Sequence, residues 1–310
     1  MSLGRPDRTT LGQQPGGSVP ASRGSVPASR GSVPASGGVI PTRRAVLGAA
    51  MAGLASLGLA GLAGGTITAP ALLRESGTLS SEHWPGRRVG WMLARPDRPR
   101  ALVVALHGMG GRAADWFGGM HLERAMVGTG LAVAAIDGAA AYWHPRNRGP
   151  FAGTDTAAMV IEDFLPLLAD RGLPTERIGL LGVSMGGYGS LYIASLLGPE
   201  QVFAVATLAA ALRTSAAGTA PERFDDSADY QAHDVFARTD ILSRIPLFLA
   251  CGNKDRFRAG NEAFAKLVPG ATTLFDEGDH VAPWFEGHLA PAVRFLADHA
   301  PADQRWSMAT

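Results

Sequence analysis

The stretch R-I-G-L-L-G-V-S-M-G-G-Y-G at 177–189 restricts the fold more than any other part of the chain. Residues 177–182 are a short, mostly apolar run with the length and composition of a buried strand. Gly182-Val183-Ser184-Met185-Gly186 follows at once and matches G-x-S-x-G. A helical pattern comes next, with Tyr188, Leu191, Ile193 and Leu196 apolar. Strand, sharp turn and helix is the context in which this motif carries chemistry. The reason is steric. A serine on a strained turn between strand and helix lifts its hydroxyl above the sheet edge, and side chains two residues to either side would collide there. Gly182 and Gly186 are therefore bare. Gly187 and Gly189 are expected to let the helix lie close to the sheet, and the helix N-terminus under the serine favours developing negative charge. The motif alone is short enough to arise in any Gly-rich turn, so its partners decide its meaning.

The rest of the chain repeats the same alternation. Mostly apolar runs at 101–106, 131–136, 202–208 and 245–251 read as strands, 271–275 as the last strand, and 87–94 as an early antiparallel one. Residues 113–127, 156–169, 259–267 and 283–299 read as helices, with Asp155 as an N-cap. Continuous apolar strands between helices predict an α/β fold, a mostly parallel central sheet with helices on both faces. Residues 210–235 break the alternation; they are polar and read as an insertion over the sheet edge.

Two segments precede this domain, which is expected to span 72–310. Residues 1–41 repeat Gly-Ser-Val-Pro-Ala-Ser-Arg at a period of seven, a composition that buries too little surface to order itself, and read as a disordered arm. Residues 42–71 open with Arg43-Arg44 and continue uncharged and rich in Ala, Gly and Leu. They resemble a twin-arginine export signal with small residues at Ala69-Pro70-Ala71. Export with cleavage is the expected outcome, with transient contact with export machinery; an uncleaved membrane anchor is the alternative.

The formal net charge of +1 averages an N-terminal region carrying Arg5, Arg8, Arg23, Arg30, Arg43 and Arg44 and a mildly acidic remainder. No basic face for nucleic acid is expected. A single Cys251 excludes an internal disulfide and reads as a buried apolar residue. No Cys/His cluster has the spacing of a zinc site, and neither a metal nor a cofactor is implied.

In sheets of this kind ligands bind beyond the carboxyl ends of the strands. Ser184, Asp255 and His280 stand at three such ends, in that order. The pieces L-H-G-M-G-G at 106–111, G-V-S-M-G-G-Y-G at 182–189, C-G-N-K-D at 251–255 and G-D-H at 278–280 resemble α/β-hydrolases, in particular the esterase D and antigen-85-like group. The resemblance covers residues 85–300 and implies an α/β-hydrolase fold. It also implies a Ser184–His280–Asp255 triad that passes through an acyl-enzyme. A serine hydroxyl needs a base to take its proton, which His280 would supply before protonating the leaving alcohol. Asp255 would hold the imidazole tautomer and stabilise the imidazolium. The amides of Met109 and Met185 would form the oxyanion hole, on a loop that includes Gly108 and Gly110.

Other readings stand beside these. Asp276 and Asp279 rival Asp255 for the histidine. His107 reads as a shaper of the oxyanion loop. His144 is divided between substrate contact and plain exposure, and Trp143 and Trp284 between pocket walls and core. The function implied is hydrolysis of a small-molecule or lipid carboxylic ester. The alternatives are acyl transfer to a sugar or lipid alcohol, as in mycolyltransferases, and a binding module without catalysis.

Overall fold

Apolar runs without alternation become strands covered on both faces, and this accounts for the middle of the sheet. The computed structural model describes residues 72–302 apart from 218 and 220–222. The arm expected at 1–41 and the export signal expected at 42–71 lie outside the described residues. Every residue of β3 (Ala101–Leu106), β4 (Leu131–Ile136), β5 (Ile178–Val183), β6 (Val202–Leu208) and β7 (Leu247–Gly252) is buried. With β1 (Leu73–Ser80), β2 (Arg88–Arg95) and β8 (Thr272–Asp276) they form one sheet in the order β1-β2-β4-β3-β5-β6-β7-β8. The first two strands pair antiparallel, β2 runs antiparallel to β4, and the rest are parallel.

Strand β1 is not expected from the sequence. Its residues LRESGTLS are mostly exposed, and it sits at the edge of the sheet, where polar side chains are tolerated.

The helices follow the expected alternation with two departures. The segment 113–127 splits into α1 (Ala113–Gly118) and α2 (Leu122–Met126). His121 between them takes a left-handed φ of 50°. The segment 156–169 stays helical but changes pitch, from α3 (Thr156–Ala158) through a π-helical turn (Met159–Phe164) into α4 (Leu165–Ala169). Asp155 caps its start, accepting from the amides of Ala157 and Ala158.

Helix α5 (Met185–Gln201) leaves the elbow and kinks at Gly198, where φ is 75° beside Pro199. Helices α8 (Arg258–Leu267) and α9 (Ala282–His299) complete the layers. No helix among the described residues is long and apolar enough to cross a membrane.

Residues 210–235 do more than cover an edge. They lead into α6 (Ser227–Ala232), and α7 (Thr239–Leu242) follows. Phe224, Tyr230 and Val235 are buried in the same core as Tyr142, Tyr188 and Tyr192. Arg146 and Asp225, both almost wholly buried, pair at 3.0 Å and tie this segment to the loop after β4.

Candidate active site

Ser184 sits between β5 and α5 with φ 55° and ψ −116°, a strained backbone for any residue with a Cβ. Hydrogen bonds hold it there. Its amide donates to the Leu208 carbonyl at 2.9 Å, and its own carbonyl accepts from Ala211 at 2.8 Å and Gly187 at 3.0 Å. The flanking glycines are required by close approach of the main chain. A Cβ on Gly182 would lie 2.1 Å from the Gly186 carbonyl oxygen, and one on Gly186 would lie 1.8 Å from that of Leu106. Gly187 and Gly189 answer to other neighbours than the sheet. A Cβ at Gly187 would meet Ala210 Cα at 2.8 Å, and one at Gly189 would meet Trp143 Cβ at 2.5 Å.

Asp255 follows β7 and His280 follows β8. The loops that carry them are laced together: Asn253 donates from its amide to the Asp276 carbonyl at 2.7 Å, and Lys254 to that of Gly278 at 2.8 Å. Gly252 allows this passage, since a Cβ there would lie 2.4 Å from the Gly278 carbonyl oxygen. The result is a linear chain of hydrogen bonds. Ser184 Oγ stands 2.9 Å from His280 Nε2, and His280 Nδ1 stands 2.7 Å from Asp255 Oδ2. Oδ1 of Asp255 accepts from the Phe257 amide at 2.8 Å, and the Asp255 side chain has no solvent exposure. Phe257 and Phe285 meet the imidazole edge-on, with centroids 5.2 and 5.0 Å away.

The rival acids have other work. Asp276 accepts from His288 Nε2 at 2.7 Å and from Trp284 Nε1–H at 3.1 Å. Burial pushes its pKa up, but these hydrogen bonds outweigh that and hold it below the usual carboxylate value. Asp279 accepts from the His280 amide at 2.7 Å.

The loop at 107–111 runs alongside the serine. A Cβ on Gly108 would stand 3.5 Å from Ser184 Cβ, an ordinary contact, and Gly110 turns with φ 74°. Neither Met109 nor Met185 donates its amide to a protein group among the described residues. Buried His107 shapes this loop as expected: Nδ1 lies 2.6 Å from the Gly108 carbonyl, and Nε2 accepts from the Gly138 amide at 2.8 Å. Burial lowers its pKa, consistent with a neutral ring held between one acceptor and one donor.

Of the three aromatic residues expected at the substrate, Trp143 and His144 lie wholly inside the core, and Trp284, as exposed as Ser184, packs on the loop of His280. Trp143 is fully buried against Gly138 and Gly189, its Nε1–H donating to the His107 carbonyl at 3.3 Å. His144 is also fully buried, stacked between Phe224 and His233, with its two ring nitrogens facing the carbonyls of Pro145 and Arg223. Trp284 packs under Gly278, stacks on His288 and buttresses the loop that holds His280. The reason lies in the backbone. Ala139, Tyr142 and Trp143 take positive φ values of 46°, 70° and 57°, which fold an apparently exposed loop inward.

Two rings missed in the sequence, Phe257 and Phe285, face the imidazole of the site. Phe257 lies two residues beyond Asp255, and only its tertiary place beside His280 reveals it. Cys251 is buried and its thiol is pushed up to about 12, chiefly by burial, then by the nearby Asp255 charge. That makes it inert rather than a second nucleophile.

No family model and no curated protein sequence matches the chain. Solved structures do. An S-formylglutathione hydrolase from Agrobacterium tumefaciens aligns with a TM-score of 0.66 at 18% identity, over 76% of this chain and 98% of that one. A ferulic acid esterase aligns with a TM-score of 0.62 at 15% identity, over 74% and 99%. MPT51 (FbpC1) of Mycobacterium tuberculosis aligns with a TM-score of 0.58 at 16% identity, over 74% and 100%. Identity this low carries the fold and no more.

Proposed function

We propose that this chain, built on the α/β-hydrolase fold, is a serine hydrolase of carboxylic esters. The observation that carries the reading is the unbroken line Ser184 Oγ–His280 Nε2, 2.9 Å, and His280 Nδ1–Asp255 Oδ2, 2.7 Å. In this reading His280 takes the Ser184 proton as Oγ attacks the ester carbonyl carbon. The negative charge moves to the carbonyl oxygen, where the Met109 and Met185 amides donate to it. His280 then gives the proton to the departing alcohol, leaving an acyl-serine. Water repeats the sequence, with His280 as base and then acid, and frees the carboxylic acid. Asp255 keeps Nδ1 protonated throughout and stabilises the imidazolium.

The esterase and hydrolase names of the structural neighbours support an ester as substrate. Exposed Met109 and Val281, on the loops that carry the oxyanion amide and follow His280, offer an apolar mouth for its acyl or alcohol part.

Purified protein is expected to hydrolyse short aryl esters, and Ser184→Ala to lower kcat by about 10⁴-fold or more. Folded protein with Ser184→Ala turnover equal to the parent would overturn the reading. Passing the acyl group to a sugar or lipid alcohol uses the same intermediate, and the same assay with an added acceptor separates transfer from hydrolysis. Export through the twin-arginine segment at 42–71 is part of the proposal, and it rests on the sequence alone.

A further inference from the structure

Beside the triad the chain gathers positive charge that no carboxylate pairs with among the described residues. Arg213 and Arg256 both lie over one ring, their guanidinium carbons 5.3 and 5.1 Å from the Phe257 centroid. Phe257 is the ring that meets His280 edge-on. Arg213 and Arg223 line one narrow opening together with Tyr142, Tyr188 and Phe224. None of the three arginines makes an ion pair or a side-chain hydrogen bond among the described residues, and Arg213 Nε is buried without any partner. A buried donor left unpaired costs free energy, and like charges brought together cost more.

The nearby acids are already engaged. Asp225 pairs with Arg146 and Asp226 with Arg148, Asp229 with His233 and Asp255 with His280. Asp234, on the same opening, caps the Phe236 amide at 3.0 Å and is raised by burial.

From this arrangement we propose that the arginine cluster at Phe257, the ring that meets His280, binds a carboxylate carried by the substrate ester, held by Arg213 and Arg256 with Arg223 and Tyr142 from the adjoining opening. The proposal rests on the serine-esterase reading of the adjoining triad and names its substrate class. The planar guanidinium presents paired donors that fit a carboxylate bidentately, which a lysine would not do. Tyr142 fits the same role. Burial raises its phenol above the usual value against the pull of Arg223, Arg213 and Arg256, so its hydroxyl stays protonated and able to donate. Its strained φ of 70° belongs to the inward-folded loop that brings the ring to this opening.

The test compares esters that differ only in the distal group. Mono-p-nitrophenyl adipate places the carboxylate on the acyl side and 4-acetoxybenzoate on the alcohol side; each is set against its methyl ester. At least one charged ester is expected to exceed its methyl-capped partner in kcat/KM by about ten-fold or more. That ratio should fall toward one in Arg213→Gln and in Arg256→Gln, and with added salt. Arg256 is exposed, so its variant is not expected to lose the fold. Glutarate binding by calorimetry, weakened in both variants, gives the same answer without turnover. Efficient hydrolysis of the capped esters with no preference for either charged one, and no glutarate binding, overturns this proposal and leaves the esterase standing. Glutarate binding without hydrolysis of any ester does the reverse.

Discussion

Asp276 accepts a hydrogen bond from His288 Nε2 at 2.7 Å, which commits an acid only four residues before His280 to a different histidine. Asp255, 25 residues from His280, is left to meet Nδ1 at 2.7 Å. Sequence distance and spatial role are inverted here because two adjacent parallel strands deliver their following loops to the same point.

That relationship ranks three substitutions. Asp255→Asn is expected to lower kcat by roughly 10³- to 10⁴-fold, because the amide no longer fixes the tautomer or stabilises the imidazolium. Asp276→Asn and Asp279→Asn should cost far less, with Asp276→Asn acting through the buttress formed by Trp284 and His288. Steady-state rates on one aryl ester measure all three, and Asp279→Asn as damaging as Asp255→Asn would contradict the assignment.

The glycines of the elbow differ in kind from the one on the neighbouring loop. Gly186→Ala would force its Cβ against the Leu106 carbonyl oxygen at 1.8 Å, so the protein is expected not to fold or to lose several degrees of Tm. Gly108→Ala meets nothing closer than 3.5 Å and should keep its Tm. Thermal unfolding of the two variants checks this. Equal losses in both would show that the close approach at Gly186 is not what requires glycine.

His144 ties stability to pH. Burial, opposed by the Arg223 carbonyl and reinforced by His233, lowers its pKa from 6.5 to about 4 in the folded state. The fold therefore favours the neutral ring. Its contribution is fully present above pH 6.5 and is lost as pH falls toward 4, by about 1.4 kcal/mol per unit across that window. His107, also lowered by burial, adds in the same direction. Asp225 and Asp276, both held below the usual carboxylate value, lose their contributions only lower still. Denaturant midpoints at pH 7.5, 6.5, 5.5 and 4.5 should fall below 6.5, and a flat profile would contradict the burial argument.

Much of the frame was legible in the residues. The apolar runs at 101–106 and 131–136, and 202–208 interrupted only by Thr207, have the pattern of strands covered on both faces, and Ser184, Asp255 and His280 stand at strand ends by simple counting. What escaped depended on tertiary context. Strand β1 is a polar edge whose only signal is its partner. The loop holding Tyr142, Trp143 and His144 turns inward through positive φ at residues other than glycine, which no local rule announces. Arg213, Arg223 and Arg256 are scattered in the chain and become a cluster only around Phe257 and the opening beside it.

The proposed export signal makes a separate prediction. Secreted protein should begin between residues 65 and 75 by N-terminal sequencing. Membrane-bound protein retaining residues 42–71 would favour the anchor instead.

The central claim is that Ser184 is a nucleophile activated by His280. A fluorophosphonate probe reports this directly, since it bonds only to a serine whose proton a neighbouring base can take. The account predicts stoichiometric labelling mapped to Ser184 by peptide mass, abolished in Ser184→Ala and strongly slowed in His280→Ala. Folded protein that fails to label, or labels at the same rate without the His280 imidazole, would contradict it.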